Sequence, residues 1–353
     1  MRLPEVLVQL PPAGGERTCA TAPIVDVDLL LVGAGPVGLY GAYYAGFRGL
    51  SVAVVDSLPT PGGQITAMYP EKLIFDIPGF PSVKGQTLVD RLLEQAAPFD
   101  PQYLLGQHAM HLDPVGERWM VTTSTGQHVL ASVVVITGGV GAVAPRPLPC
   151  GEDFLGRGLQ YFVPQLDVLD GQDVLVVGGG DSAVDWALAS VQRAGSTTLL
   201  HRRQQFRAHA HSVNLLKNST CTQLLDAEIV SLHGGGGVEY ATVKTKGSDE
   251  PTEVPCTLVV AALGFTMQLG PIADWGLTLE HRAIGVDTAM RTNRAGIFAA
   301  GDIATYPDKV KLIAVGFGEV ATAVNNAAAV LQPEVGVAPG HSSDSAPALA
   351  AIA

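Results

Sequence analysis

The feature that most constrains this chain is a strand, glycine turn, helix, strand device that occurs twice with the same internal spacing. In the first copy, residues 27–56, the apolar run 29–32 is bounded by Asp28 and Gly33 and reads as a buried parallel strand. Gly33, Gly35 and Gly38 then form G-x-G-x-x-G, with Pro36 inside the turn. The first glycine permits a tight turn, the second lets backbone approach a pyrophosphate, and the third lets the helix pack against the strand. The helix N-terminus faces the phosphates. A second strand, 51–55, ends at Asp56, where an acid accepts hydrogen bonds from an adenosine ribose.

The second copy has a strand at 173–177, then Gly178, Gly179, Gly180, Asp181, Ser182 and Ala183, and a helix over 183–193. Its second strand, 197–200, ends at His201, so the offset from Gly178 to His201 repeats that from Gly33 to Asp56. The two copies differ at this last position. Where the first has an acid, the second has His201, Arg202 and Arg203, with Arg207 expected one helical turn on. A carboxylate there repels an adenosine 2′-phosphate, whereas guanidinium groups bind it through charge-assisted hydrogen bonds. Adjacent arginines after a strand are more commonly just solvated; the matched offset argues for the phosphate. The first site therefore suits FAD, and the second suits NADP(H) over NAD(H).

A chain of 353 residues is long enough for two domains. Charged residues make up only 15% and glycine occupies 41 positions, which fits buried parallel sheets joined by tight turns. With 33 acids against 21 bases the net charge is −12, so no overall basic field attracts nucleic acid. No apolar run approaches the length of a membrane span, so none is expected. Residues 1–24 read as a loose, proline-broken extension. Cys19, Cys150, Cys221 and Cys256 form no C-x-x-C, so neither a zinc site nor a secreted disulfide framework is indicated. The expected location is cytoplasmic.

Between the two devices lies a Pro/Gly-dense loop carrying Gly62, Gly63, Gln64 and Tyr69; a loop this long is usually functional. An amphipathic helix over 87–97 and a meander at 107–112, 119–124 and 128–130 are expected next. A separate buried strand at 132–137 ends in Gly138-Gly139, and residues 141–149 read as an inter-domain linker. After the second device come a meander around 228–246, a return strand at 258–263 and a second hinge at Gly264. The run 296–302, GIFAAGD, places Asp302 beyond a strand's carboxyl end, where ligands lie in such sheets. Residues 312–331 form an apolar helix that packs the sheet or a subunit interface.

Two nucleotide sites of this kind resemble the pyridine nucleotide–disulfide oxidoreductases, in particular the thioredoxin reductase branch. That branch carries a C-x-x-C before the second glycine motif; here residues 151–180 contain no cysteine, and Gln160-Tyr161-Phe162-Val163 stands in the approximate place. Dithiol chemistry is therefore excluded. The chain is similar instead to the thioredoxin reductase-like ferredoxin/flavodoxin–NADP⁺ reductases of bacteria. The likeness runs from Val27 to His341 through GGQITAMYPEK (62–72), IPGFP (77–81), YFV (161–163), GGGDSAVDWAL (178–188), HRRQQFRAHAHSV (201–213), LGPIADWGL (269–277), AAGDI (299–303) and GFGEVATAVNNA (316–327).

The resemblance implies an α/β fold of two Rossmann-like dinucleotide-binding domains, each with three-layer ββα architecture. It assigns 25–147 with 265–340 to FAD, 148–264 to NADPH, and 341–353 to a C-terminal tail. It places Gly33, Gly35, Pro36, Gly38, Asp56, Gly63 and Gln64 at the FAD, with Tyr69 stacked on one flavin face and Ala109 and Val143 lining the site. Asp302 holds the ribityl or pyrophosphate region. A His-Ser pair near the C-terminus covers the other flavin face across a homodimer in the relatives; His341 with Ser342 and Ser343 match it in type. At the second site it places Gly178, Gly180, Asp181, Ser182, Ala183, His201, Arg202, Arg203 and Arg207 on NADP.

The implied reaction is hydride transfer from nicotinamide C4 to flavin N5, then single-electron transfer to ferredoxin or flavodoxin, with the cofactors carrying the chemistry. A hinge rotation about the two linkers is expected to bring nicotinamide over flavin. Such carriers are acidic, so Arg48, Lys72, Lys84, Arg91, Lys309 and Lys311 are candidates for a docking surface. Two alternatives stay open: an NADPH-dependent diaphorase with small acceptors, and a non-catalytic FAD/NADP redox sensor. His209 and His211 read as loop or nucleotide-rim residues, since no third metal ligand is evident.

Overall fold

In the computed structural model the described residues are 23–338 apart from 140, 164 and 249; Cys19 and the His341-Ser342-Ser343 string lie outside them. The strand Val25–Val32 pairs in parallel with Val52–Val55 on one edge and with His128–Ile136 on the other. Gln102–Leu104 extends the sheet beyond Val52–Val55. The outer edge of His128–Ile136 is shared. Its first half pairs antiparallel with Arg118–Thr123, and its second half in parallel with Ile297–Ala299.

Residues 128–130 and 132–137 were expected as separate strands, and they are one. Ala131, small and fully buried, continues the ladder between Val27 and Trp119, so nothing breaks the chain there. Along these strands the side chains alternate between two apolar layers. Leu29, Leu31, Val133 and Val135 face one core, and Leu30, Val32, Val134 and Ile136 face the other. Both faces are covered, which is why the runs are apolar throughout.

Helix α1, Pro36–Phe47, begins with proline at its first turn, where the missing N–H costs nothing. The Pro/Gly loop contains a short helix α2, Gln64–Met68, and a two-residue hairpin, Leu73–Ile74 with Val83–Lys84. Helix α3, Gly85–Ala96, buries Leu88, Val89, Leu92 and Ala96, the amphipathic face expected.

The second sheet is wholly parallel, in the order Leu159–Gln160, Leu258–Ala261, Asp173–Val177, Ser196–His201, Thr222–Leu225. Helix α4, Asp181–Val191, and helix α5, Ala210–Lys217, supply residues to the core on one face. The antiparallel strands Ala227–His233, Tyr240–Thr245 and Thr252–Pro255 cover the other. Helix α6, Ile313–Leu331, returns to the first sheet. By length and composition α6 could cross a bilayer, contrary to the expectation of no such run. In this fold Val320, Ala323, Val324 and Ala327 of α6 are fully buried beside Val133 and Phe298. Glycine in α1 permits this packing, since a Cβ on Gly41 would lie 2.7 Å from Val320.

The first sheet's face away from α1 and α6 is covered by residues 272–277 and a small sheet of Leu279–Glu280, Ala283–Gly285 and Ala304–Thr305. Each half is thus helices, a sheet with parallel central strands and a smaller β layer. The chain crosses between the sheets twice, and the crossings are not independent loops. Ala142–Pro145 and Phe265–Gln268 pair antiparallel as one two-stranded ribbon.

Candidate functional site

The first glycine turn sorts its glycines by what surrounds them. A Cβ on Gly33 would meet the Thr137 carbonyl oxygen at 2.5 Å, and one on Gly38 would meet the Gly33 carbonyl oxygen at 1.9 Å. A Cβ on Gly35 meets nothing within 4 Å. The outer glycines are thus demanded by the fold, while the middle one opens onto free space at the α1 N-terminus. That is the room a pyrophosphate needs. The buried Thr137 hydroxyl, not singled out from sequence, donates to the Gly33 carbonyl at 2.8 Å and holds the turn.

Asp56 closes this site. Its Oδ2 accepts the Ala34 N–H at 2.6 Å and its Oδ1 accepts the Leu58 N–H at 2.8 Å. Burial pushes its pKa up, opposed by these two donors and by nearby His108. Each oxygen retains a lone pair for a ribose hydroxyl.

The Pro/Gly loop lies on the same turn. Gly62 N–H donates to the Ala34 carbonyl at 2.8 Å, and a Cβ on Gly63 would sit 3.0 Å from Gly35 Cα. Gln64 Nε2 lies 3.6 Å from the Cβ position of Gly139. From the other side come Gly301 and Asp302, held in place by α1 and α6. Gly301 has φ +78° and packs on Val37, as does Gly316 of α6. Ala109 is buried in the sheet core beside Val55. The backbone of Val143 lies in the crossing ribbon, opposite Met267.

Behind Asp302 is a group that sequence reasoning missed. Glu319 Oε2 accepts the Gly301 N–H at 2.8 Å, and its Oε1 accepts from Tyr306 Oη at 2.7 Å and from Lys309 Nζ. Lys309 also donates to the Gly301 carbonyl at 3.0 Å. The hydrogen bond to Glu319, with burial, pushes the Tyr306 pKa up to about 12. A signal existed, because Glu319 is the one charged residue in α6.

Tyr69 stands where the two halves meet. Its ring packs against apolar residues around α2 and α3 and also against the helix-side core of the second sheet. Burial, with the carboxylates of Asp302 and Asp76, pushes its pKa up to about 12, so the phenol stays protonated.

The second turn repeats the first. A Cβ on Gly178 would meet the Ala262 carbonyl oxygen at 2.3 Å, whereas one on Gly180 meets nothing within 4 Å. Ala183 takes the third-glycine position; it is fully buried and packs on Gly178, so it seats α4 on the strand. Ser182 and Asp181 are exposed at the α4 N-terminus, and Asp181 Oδ1 accepts the His209 N–H at 2.8 Å.

Arg202, Arg203 and Arg207 are exposed, and among the described residues none forms a salt bridge. The route to Arg207 differs from the expected helical turn. Residues 202–206 bend, and Arg207 N–H donates to the Gly179 carbonyl at 2.7 Å in a bridge with the glycine loop. Backbone pairing, not helical periodicity, brings the third arginine to the glycine loop. His201 also differs from the arginines in position. Its ring is buried, lies where a Cβ on Gly179 would be at 2.1 Å, stacks on Phe206 and shares a hydrogen bond with the Gln205 carbonyl at 3.2 Å. Burial, then the three arginines, hold its pKa below the usual imidazole value.

The docking candidates largely disperse. Arg48 is buried against Asn325 and the carbonyls of Gly336 and Val337, and Lys309 is buried on Glu319. Lys72 pairs with Asp185 and Arg91 with Glu94, leaving Lys84 and Lys311 exposed without an ion pair among the described residues. Burial raises the thiols of Cys221 and Cys256 to about 11 and about 12, so they are inert.

Comparison with known proteins agrees with this geometry. The family described as pyridine nucleotide-disulphide oxidoreductase matches residues 27–327. A protein of Frankia alni named ferredoxin–NADP reductase is 58% identical over 316 residues, covering 89% of this chain and 98% of that one. Its namesake in Thermus thermophilus is 47% identical over 325 residues, covering 90% and 97%. Among solved structures, the FR conformation of Lactococcus lactis thioredoxin reductase superposes with TM-score 0.74 at 25% identity, covering 85% of this chain and 97% of that one. Thioredoxin reductase from T. acidophilum gives 0.77 at 23% identity over 87% and 99%, a likeness of fold. With two glycine turns of complementary terminal charge on a thioredoxin reductase-type fold, the chain belongs to the pyridine nucleotide-disulphide oxidoreductase family.

Proposed function

We propose that this chain is an FAD-dependent reductase that moves electrons between NADP(H) and a ferredoxin, with flavodoxin as a second carrier. The observation that carries this reading is the contrast between the two turns. One ends at a half-buried acid and the other at three uncommitted arginines, while both middle glycines open onto free space. The relatives named ferredoxin–NADP reductase supply the carrier.

The residues present fit both nucleotides. In this assignment Gly33, Gly35, Pro36 and Gly38 hold the FAD pyrophosphate and Asp56 the ribose. Gly63, Gln64 and Ala109 line the flavin, Tyr69 stacks on it, and Asp302 takes the ribityl chain. Gly178, Gly180, Asp181 and Ser182 seat the NADP phosphates, and Arg202, Arg203 and Arg207 take the 2′-phosphate. His201 and Ala183 shape the loop from beneath. Val143 and a second copy's His341 and Ser343 complete the flavin site, which makes the working unit a homodimer. The division is 25–147 with 265–340 for FAD and 148–264 for NADP(H).

When bound, FAD supplies two-electron acceptance at N5 from nicotinamide C4 and one-electron delivery to the carrier. The chain supplies alignment and exclusion of water. Its sequence has no C-x-x-C, so electrons leave directly to the carrier.

Anaerobic stopped-flow absorbance tests the reading. NADPH should bleach the flavin bands, and an oxidised ferredoxin should restore them within turnover time. Bleaching without restoration by ferredoxin or flavodoxin refutes the carrier assignment. The scarcity of uncommitted cations near the first site favours a second reading, a diaphorase with small acceptors. Turnover with ferricyanide but with neither protein carrier would select it.

A further inference from the structure

We propose that Glu71 and Lys72 are positioning residues that clasp the NADP(H) half of the molecule onto the segment bearing Tyr69. The two side chains leave the same short turn and grip two different elements of the second half. Glu71 Oε2 accepts the Leu166 N–H at 2.6 Å, at the start of the single-turn helix Leu166–Leu169. Lys72 Nζ lies 2.5 Å from Asp185 Oδ2, on the second turn of α4. The same ammonium stands 5.7 Å from the centroid of the Tyr69 ring.

The turn itself is fixed to the first half by its backbone. Lys72 N–H donates to the Tyr69 carbonyl at 3.1 Å, Gln86 N–H to that of Pro70 at 2.7 Å, and Gly85 N–H to that of Lys72 at 2.9 Å. Residues 69–72 are therefore rigid on one side and gripping on the other. Tyr69, at the start of this turn, packs its ring against the core that contains Val184 and Trp186 of α4.

The consequence lies in what the clasp joins. The N-terminus of α4 carries Gly180 and Ser182, and Asp185 follows within a turn. Lys72 thus connects the helix that seats the nicotinamide nucleotide to the ring that stacks on flavin. Two directional contacts at separate points fix an orientation in a way that apolar contact alone does not. The Lys72–Asp185 pair is about a third exposed on each side, so salt weakens it, while the Glu71 contact to backbone is less sensitive. The inference rests on the stacking role assigned to Tyr69, and the experiment separates the two.

The test uses the full-length, FAD-loaded protein with Cys19 and Cys150 replaced by Ser. Spin labels are placed on exposed Gln95→Cys of α3 and Lys217→Cys of α5, and the inter-label distance distribution is measured. A narrow distribution is expected in the parent. Lys72→Met, Glu71→Ala and their combination should at least double its width while leaving NADP⁺ binding within twofold. The exchanged pair Lys72→Asp with Asp185→Lys should restore the narrow distribution, which loss of packing would not. Flavin fluorescence is the second readout: the backbone holds the turn to the first half, so Lys72→Met should leave the flavin as quenched as in the parent, whereas Tyr69→Leu should brighten it severalfold. If the distribution stays narrow in the double variant, the clasp is wrong. If Tyr69→Leu leaves flavin fluorescence unchanged, the stacking assignment is wrong, and the label widths still decide the clasp.

Discussion

The Lys309 ammonium and the Glu319 carboxylate form an ion pair whose side chains are only 6% and 5% exposed, beneath the turn that carries Asp302. Glu319 holds the Gly301 N–H and Lys309 the Gly301 carbonyl, so the pair grips both ends of one peptide residue. Removing one partner strands a buried charge. Lys309→Met is therefore expected to destabilise the protein by about 3–5 kcal/mol. The double variant Lys309→Met/Glu319→Gln should recover much of that loss, since Gln still accepts the Gly301 N–H. Urea unfolding of the three proteins checks this.

Replacing Arg202 and Arg203 with Ala should weaken NADPH binding by roughly 1.5–3 kcal/mol for each charged hydrogen bond lost. NADH binding should hardly change, because NADH lacks the 2′-phosphate. Isothermal titration with both nucleotides reads the difference. Equal losses would remove the 2′-phosphate from these side chains.

The glycine turn predicts two unlike outcomes. Gly38→Ala drives a Cβ to within 1.9 Å of backbone oxygen and should unfold the first half or bar its folding. Gly35→Ala meets no protein atom, so the chain should fold with near-parent thermal stability in its FAD-free form. Its FAD affinity should fall by at least tenfold, about 1.4 kcal/mol, because the methyl occupies the pyrophosphate's approach. Denaturation and FAD titration of both variants separate the two roles.

Asp56 makes FAD binding depend on pH. Burial raises its carboxyl pKa in the folded, FAD-free chain. The protonated form is thus favoured by folding, so this residue's contribution to FAD-free stability is fullest below its unfolded pKa. That contribution is lost as pH rises through the raised value. Ribose hydroxyls donate best to the ionised carboxylate, so binding expels the proton. FAD affinity should therefore increase with pH across the raised pKa. Asp56→Asn should bind more weakly and lose this slope, as fluorescence titration over pH would show.

Local pattern made the two nucleotide devices legible. A tight turn out of a buried strand requires glycine, and the residue at the end of the next strand must match the charge it meets; both are properties of a few contiguous residues. Gly33, Gly35, Gly38 and Asp56 could be read in this way, as could Gly178, Gly180 and the arginines after His201. The unbroken apolar runs in 29–32 and 132–137 announced a sheet covered on both faces.

What the tertiary structure decided were contacts between segments far apart in sequence. Periodicity put Arg207 on a helix, but pairing with Gly179 brings it to the site. His201 stood in the row of phosphate ligands until its burial beneath Gly179 appeared. Lys309 and Arg48 looked like free surface cations, because charge in a sequence carries no sign of the partner that will bury it. The two linkers became one ribbon for the same reason. Sequence by itself determined where the glycine turns fall and which charged residues follow their second strands, since both are local features. Only the fold decided which side chains stand behind them, since a partner such as Glu319 for Gly301, or Asp185 for Lys72, is chosen by packing.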